Sequence, residues 1–273
     1  MNYIRPAQVA GYFYPSNPEK LKKEIGLLLD VTKPKEKIEN IFGIVSPHAG
    51  YVYSGKTAAH AYNLLIGKTY NRVIIISPSH SEYFHGVSLF EGDAYETPLG
   101  FLNVDKDFRE KLVTDDGMIF KGFEGHGREH ALEVQLPFLQ TVLKDFKIVP
   151  VVMGDQSKKI VDTLAKKIAD ISDNETLIVA SSDMSHFYNK SQADRLDSVV
   201  EKRVRDFDFD NLQTDLETHT CEACGGGPIV SLMKAAKLRN VKHSMVLNRS
   251  DSGDVTGDNS EVVGYLSAVF YDG

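Results

Sequence analysis

Short apolar runs of strand length alternate with helix-length segments along most of the chain, and this alternation constrains the fold most. The runs are rich in Val and Ile and are bounded by Pro, Gly and Ser, which is typical of buried β-strands. Buried strands that alternate with helices predict an α/β fold with a sheet covered on both faces. The predicted strands are IFGIV (41–45), VIIIS (73–77), GVSLF (86–90), KIVPVVMG (147–154), LIVAS (177–181), SMVLN (244–248) and VVGYLSAVFY (262–271).

Two helices are located by their capping and spacing. Asn17 stands before Pro18, and Asn is a favoured N-cap while Pro is a favoured first helical residue. In KKIVDTLAKKIAD, the apolar residues Ile160, Leu164 and Ile168 lie four apart, so they share one helix face. We therefore predict a three-layer α/β sandwich with a mostly parallel or mixed central sheet, helices on both faces and an antiparallel C-terminal pair of edge strands.

Length and charge narrow the class of protein. The chain has 273 residues, of which 42% are hydrophobic and 25% charged, and its formal net charge is −7. An acidic chain without a basic face does not favour nucleic acid as a partner. The N-terminus lacks the pattern of a signal peptide, and no apolar run approaches the roughly 20 residues that span a bilayer. We expect one domain over residues 1–273, located in the cytoplasm, with no membrane partner.

Three of the predicted strands are followed by a histidine. His48, His80 and His186 lie three to five residues beyond an apolar run, and ligands of open α/β sheets bind at the carboxyl ends of the strands. A single histidine there is more often a hydrogen-bonded loop residue, but three at one structural position favour a shared pocket. Asp183 lies in the same predicted loop as His186 and could orient an imidazole, act as a base or bind a metal.

The two cysteines, Cys221 and Cys224, are too few for a disulfide framework. Cys224 precedes Gly225–Gly227 and Pro228, which are typical of a helix start. The positive end of a helix dipole lowers the pKa of a thiol. We therefore expect Cys224 to be a nucleophile or a metal ligand with a lowered pKa; the alternatives for the two cysteines are buried packing and a redox pair.

The segment HGREH offers a competing site. It fits the H-x-x-E-H pattern of inverted zinc peptidases, with His126 and His130 as ligands on a helix and Glu129 as the base. The neighbouring glycines disfavour a helix at this point. The alternative is that Glu129 or Glu133, together with His130, reaches the same cleft as the other histidines or fixes the loops around it.

Several longer motifs extend these patterns: RPAQVAGYFYPSNPEKL, SPHAGYVYSGKTAAHAY, IISPSH, ETPLGFLNVD, EHALEVQLPFLQ, IVPVVMG, LIVASSDMSHFY, CGGGPI and VVGYLSAVFY. In this order, they resemble the motifs of the Memo family (mediator of cell motility), whose prokaryotic members are called AmmeMemoRadiSam system protein B. The resemblance runs nearly end to end. It implies a fold similar to that of the class III extradiol ring-cleaving dioxygenases, which are non-haem iron enzymes.

The resemblance implies that His48, His80 and Cys224 bind a metal ion, which is iron, copper or zinc, with Asp183 and His186 beside it as acid-base residues. Ring-cleaving dioxygenases hold Fe(II) with two histidines and a carboxylate. A thiol stands in the third position here, so catechol cleavage does not carry over. The implied function is a metal-dependent oxidoreductase of unknown substrate, with Asp183, His186 and Cys224 as catalytic residues. The family name also implies a radical-SAM partner protein.

Three other functions are compatible with the sequence. The first is a metal-dependent hydrolase. The second is a non-catalytic module that binds a peptide or small molecule in an ancestral enzyme cleft, which Phe13, Tyr14, Tyr51 and Tyr53 could line. The third is metal-free thiol chemistry at Cys224, which predicts rapid alkylation of this residue at neutral pH.

Overall fold

A mixed nine-stranded β-sheet dominates the protein, and a second sheet has three short strands. Both are seen in a computed structural model that describes residues 3–273. The strands are β1 (Ile4–Arg5), β2 (Ile41–Ser46), β3 (Arg72–Pro78), β4 (Val87–Phe90), β5 (Ala94–Thr97), β6 (Gly100–Asn103), β7 (Ile119–Gly122), β8 (Lys147–Met153), β9 (Thr176–Ser181), β10 (Asp183–Tyr188), β11 (His243–Asp251) and β12 (Val262–Tyr271).

Helices cover both faces of the large sheet. They are α1 (Pro18–Val31), α2 (Tyr51–Asn63), α3 (Lys106–Leu112), α4 (Leu136–Val142), α5 (Lys158–Ile171), α6 (Lys190–Arg205), α7 (Phe209–Glu217), α8 (Gly226–Leu238) and α9 (Gly253–Thr256). On β3, Ile74 and Ile76 pack into one apolar cluster, with α5 and α8, while Val73 and Ile75 pack into another, with α1, α2 and α4. Successive residues of a strand point to opposite faces, so this division produces the predicted three layers. No helix in residues 3–273 is both long and apolar enough to cross a membrane.

The strand order confirms the predicted mixed sheet. Strands β2, β9, β3 and β8 are adjacent and parallel, whereas β4 is antiparallel to β8. The C-terminal pair is antiparallel, as expected. Of these two strands, however, only β11 lies at an edge of the sheet. Strand β12 pairs with β11 along one side and with β10 and β2 in succession along the other.

The local predictions from capping and spacing are confirmed. The Asn17 side chain accepts a hydrogen bond of 3.0 Å from the Lys20 N–H at the start of α1. On α5, Ile160, Leu164 and Ile168 are all buried. These helices form where the sequence places them because their signals are local: a cap and an apolar face.

The segment after β9 differs from the prediction. The residues SSDMS were expected to form a turn, but Asp183–Tyr188 form strand β10, which pairs with β12 through two register shifts. The sheet explains the difference: β2 ends at Ser46, so the amino-terminal half of β12 would lack a partner on that side. Strand β10 supplies the missing hydrogen bonds there.

Candidate metal centre

The ends of three adjacent parallel strands bring the predicted site residues together. His48 follows β2, Asp183 follows β9 and His80 follows β3, and Ser46 aligns with Ser181 in the register of β2 and β9. The ring centroids of His48 and His80 are 5.2 Å apart. The shared pocket at the carboxyl ends of the strands therefore contains both of these histidines.

Cys224 meets these two histidines from a distant part of the chain. Its Sγ lies 3.2 Å from Nε2 of His48, and donor atoms of His48, His80 and Cys224 all lie within 4.8 Å of one another. Metal bonds of about 2.0 Å to nitrogen and about 2.3 Å to sulfur at a tetrahedral angle would separate the two atoms by about 3.5 Å. The three atoms are therefore close enough to bind one ion. The His80 side chain is 34% exposed, so solvent reaches this group of residues from the side of His80.

Backbone hydrogen bonds hold Cys224 over the end of β9. Its N–H donates to the carbonyl of Asp183 at 3.2 Å. The side-chain amide of Gln156 donates to the carbonyl of Cys224 at 2.8 Å and accepts from the N–H of Gly227 at 2.7 Å. Gln156 thus ties Cys224 to the first turn of α8, and the sulfur is placed by contacts that do not involve a metal.

The close approach of this segment to β9 requires a glycine at position 225. A Cβ at Gly225 would collide with the carbonyl oxygen of Ser181 and lie 2.8 Å from Cβ of Ser182. We expect Gly225→Ala to displace Cys224, to lower the free energy of unfolding by about 1–3 kcal/mol and to weaken metal binding. Urea unfolding and a metal titration measure the two effects. Gly127→Ala is the control, because a Cβ there meets nothing within 4 Å, and equal losses in both variants would contradict the expectation.

The tautomer of His48 follows from the hydrogen bonds of Ser181. The Ser181 hydroxyl donates to the carbonyl of Ala131 at 2.7 Å and accepts from the side-chain amide of Gln135 at 2.8 Å. A hydroxyl has a single proton, so its contact of 2.8 Å with Nδ1 of His48 requires the proton to be on Nδ1. Burial lowers the pKa of His48 well below its usual value. The ring is therefore neutral, and the lone pair of Nε2 faces Cys224.

Glu129 orients His80 in a similar way. One carboxylate oxygen lies 2.9 Å from Nδ1 of His80, and the other accepts the His80 N–H at 2.5 Å. Burial opposes protonation of His80, but the hydrogen bond and charge of Glu129 outweigh it and raise the pKa of the imidazole. Because Nδ1 is engaged, Nε2 is the atom available to a metal. A carboxylate on the far nitrogen of a histidine is typical of metal sites.

His130 contacts both His48 and His80, but it does not belong to the donor group formed by His48, His80 and Cys224. Its ring stacks on His80 at 4.9 Å and lies 5.5 Å from His48. His80, Glu129 and His130 also form a group whose donor atoms could hold a metal. The Glu129 oxygens, however, already accept the N–H groups of His80, His130 and Ala131. This use of Glu129 favours the set that contains Cys224.

Asp183 and His186 occupy different positions relative to the three donor atoms. Asp183 is buried; one of its oxygens accepts the His48 N–H at 2.8 Å, and the other lies 3.9 Å from Nε2 of that ring. Burial raises the pKa of Asp183 to about 7, against the opposing effect of the backbone N–H groups of His48 and Ala49. His186 lies on β10, lines an adjoining cleft and has a pKa lowered by burial. It does not belong to the clustered donors among the described residues.

Comparison with known proteins identifies the family of the chain. The family model described as Memo-like protein matches residues 5–269. The chain belongs to the Memo family. A MEMO1 family protein of Thermoplasma volcanium is 39% identical over 97% of this chain and 98% of its own length. Those of Methanobrevibacter smithii and Nitrosopumilus maritimus are 36% and 35% identical, each over 98% of this chain and 99% of its own length.

In this Memo family chain, the thiol of Cys224 does not have the lowered pKa that the sequence predicted. Burial and the nearby charge of Asp183 raise the pKa of Cys224, which outweighs its position before α8. Burial also raises the pKa of Cys221 to about 12, and both cysteines are free. The raised pKa values do not favour metal-free thiol chemistry or a redox pair, because the thiolate is the reactive form.

The competing HGREH site does not form. Residues 123–132 contain turns rather than an α-helix. His126 is buried, and its ring contacts the Tyr95 hydroxyl at 2.7 Å and the Ser88 carbonyl at 3.2 Å. Burial lowers its pKa to about 3. His126 and His130 therefore have different surroundings, and the observed geometry does not support an inverted peptidase site.

Glu133 fixes the loops around the site, as one alternative predicted. Its carboxylate accepts hydrogen bonds of 2.7 Å from Nη1 of Arg5 and from the Tyr14 hydroxyl. Tyr14 and Tyr51 are 3% and 2% exposed, so they belong to the core and do not line a binding pocket as the sequence suggested. Of the aromatic residues considered, Tyr53 is more exposed, at 42%.

The sequence did not identify Ser181, Gln135 and Gln156 as site residues. Ser181 stands at the end of a predicted strand, which is the one signal that could have indicated it. Gln135 and Gln156 follow no recognisable motif. Their roles depend on contacts with His48 and Cys224 that only the folded chain creates.

Proposed function

We propose that this Memo family protein binds one transition-metal ion through Nε2 of His48, Nε2 of His80 and Sγ of Cys224, and acts as a metal-dependent oxidoreductase. The observation that carries the proposal is the convergence of these donors, within 4.8 Å of one another, from three distant segments. Each imidazole has its other nitrogen engaged by the protein. Two imidazoles and a thiolate suit iron, copper or zinc.

The surrounding residues have separate parts in this proposal. A bound iron or copper ion would supply electron transfer to or from a substrate. Asp183 fixes the backbone of His48 and presents its second oxygen 3.9 Å from Nε2, where it can hold a proton next to the ligands. His186 lines the adjoining cleft, from which it can hydrogen-bond a substrate or exchange a proton with it. The substrate itself is not part of the proposal.

Metal analysis of purified protein tests the ligand set. After reconstitution with Fe(II), Cu(I) or Zn(II) in separate samples, we expect about one equivalent in the wild-type chain. His48→Ala and Cys224→Ala should retain less than about a tenth of it, because each loses a donor atom. Cys221→Ala and His85→Ala are matched controls: Cys221 is the other cysteine, and the side chain of His85 is 74% exposed. Full stoichiometric metal in both ligand variants would contradict the proposed set.

Oxygen uptake by the metal-loaded protein tests whether it is an oxidoreductase. Iron- or copper-loaded protein should consume oxygen in the presence of a reductant, and His48→Ala should not. Stoichiometric metal without electron transfer would instead favour the hydrolase or the non-catalytic binding module. The family's prokaryotic name supports a radical-SAM protein as partner, and the sequence pattern supports a cytoplasmic location; both are part of this proposal.

A further inference from the structure

Strand β10, which carries Asp183 and His186, is paired irregularly with β12. Asp183 lies opposite Tyr265, and His186 lies opposite Val263. The two residues of β10 between these pairs therefore lie opposite the single residue Gly264 of β12. One extra residue on one strand of an antiparallel pair is a β-bulge, and bulges next to active sites change the direction in which a side chain points.

This first bulge determines where His186 points. Successive residues of a regular strand point to opposite faces, so Asp183 and His186, which are three residues apart, would lie on opposite sides of β10. One extra residue reverses the alternation and brings both side chains to one side. The contacts agree with this placement, because Asp183 lies 3.9 Å from Nε2 of His48 and His186 lines the cleft that Cys224 also lines.

The carboxylate of Asp197, on α6, contacts both strands at the first bulge. Its Oδ1 accepts the N–H of Ser185 at 3.0 Å. This N–H belongs to the bulge, where the ladder of hydrogen bonds with β12 is interrupted. Its Oδ2 lies against Gly264, where an added Cβ would collide with it. Asp197 therefore supplies a hydrogen bond that the bulge lacks and fills the space over the glycine.

Asp197 occupies this position as a buried carboxylate without a cation. It is only 3% exposed, and burial raises its pKa to about 6 against the opposing effect of the Ser185 N–H. Arg249 forms ion pairs with Asp194 and Glu201, and Asp197 forms none with any residue from 3 to 273. A buried carboxylate without a cation lowers stability. Its hydrogen bond to the bulge gives a reason for a carboxylate at this position.

A second bulge follows His186 directly. Tyr188 lies opposite Val262, which is next to Val263, so Phe187 is the extra residue. Its φ is 64°, a left-handed value that bulky residues rarely adopt, and glycine is the usual residue in such a bulge. Strained backbone of this kind is concentrated at functional sites. His186 therefore lies between two irregularities, each of which is unfavourable on its own.

We propose that Asp197 is a positioning residue for His186: it stabilises the first bulge of β10 and so holds the imidazole in the cleft beside the metal donors. That His186 acts on a substrate there rests on the proposed function. The position of His186 in the metal-free protein does not.

Hydrogen exchange and imidazole NMR of the metal-free full chain test this role. In Asp197→Ala, the Ser185 N–H loses its acceptor, so its exchange should be at least about tenfold faster, and the ring signals of His186 should shift. Asp197→Asn keeps an oxygen that accepts this N–H and should restore both to nearly wild-type values. Asp194→Ala is the matched control, since Asp194 is exposed on the same helix. Equal changes in the Ala and Asn variants, or unmoved His186 signals in Asp197→Ala, would overturn the proposal.

Gly264→Ala tests the same bulge from β12. The added methyl group collides with Oδ2 of Asp197, so the carboxylate should be displaced although it is still present. We expect faster exchange of the Ser185 N–H and shifted His186 signals, as in Asp197→Ala. Gly26→Ala is the control, because a Cβ there meets nothing within 4 Å. Wild-type exchange and unmoved signals in Gly264→Ala would also overturn the proposal.

Metal analysis separates this inference from the proposed function. Asp197 does not belong to the clustered donors among the described residues, so Asp197→Ala should still bind stoichiometric metal. The expected NMR changes in a protein whose wild-type chain binds no stoichiometric metal would contradict the metal centre alone. Stoichiometric metal together with unmoved His186 signals in Asp197→Ala would contradict the role of Asp197 alone.

Discussion

Replacement of Arg5 by Ala should lower the free energy of unfolding by about 3–5 kcal/mol, because it leaves a buried carboxylate without its cation. Nη1 of Arg5 lies 2.7 Å from Oε2 of Glu133, and the two side chains are 2% and 0% exposed. Arg5 also donates to the carbonyls of His126 and Glu129, at 2.5 Å each. It therefore holds the segment from which Glu129 orients His80, and we expect weaker metal binding as well.

Urea unfolding followed by circular dichroism measures the loss of stability. Arg128→Ala is the control, because Arg128 is exposed in the same segment, and it should change the free energy of unfolding by less than about 0.5 kcal/mol. The double replacement Arg5→Ala with Glu133→Gln should recover part of the loss, since a neutral amide leaves no uncompensated buried charge and its oxygen can still accept the hydrogen bond from the Tyr14 hydroxyl. A loss below about 1 kcal/mol in Arg5→Ala, or no recovery in the double variant, would contradict this role.

The sequence predicted which strands end at the site but not that they are adjacent. The runs before His48 and His80 are recognisable because β2 and β3 are continuous and apolar. Strand β9 lies between them in the sheet although it comes about a hundred residues later. Strand order depends on long-range pairing, which leaves no mark in the pattern of one segment. A shared pocket requires β2, β9 and β3 to be neighbours, and they are adjacent in the sheet.

The features that the sequence missed depend on contacts between distant residues. The helix start at Gly226 is a local signal, and it was recognised, but the pKa of Cys224 follows from burial beside Asp183, 41 residues away. Arg5 and Glu133 are 128 residues apart. Strand β10 forms because β12 needs a partner where β2 ends. In each case, tertiary packing outweighed the local preference that the sequence displays.

Ser181→Ala should weaken metal binding 10- to 100-fold, which is about the effect of removing a residue that orients a metal ligand. The Ser181 hydroxyl is the acceptor that holds the proton of His48 on Nδ1, at 2.8 Å. Without it, the neutral ring can place its proton on Nε2, which then has no lone pair for the ion. The ring also loses its fixed orientation. A competition titration with a chelator of known affinity measures the change.

The matched control is Ser46→Ala. Ser46 is also fully buried and aligns with Ser181 in the parallel register of β2 and β9, but its hydroxyl contacts the carbonyl of Pro47 rather than His48. The Ser46→Ala variant should therefore bind metal with nearly unchanged affinity. Nitrogen NMR of the imidazole in the metal-free protein supplies a second measurement, in which the wild-type chain has its proton on Nδ1 and Ser181→Ala shifts toward the Nε2 form. Equal loss of affinity in both serine variants, or an unchanged tautomer in Ser181→Ala, would show that Ser181 contributes to packing and not to the orientation of His48.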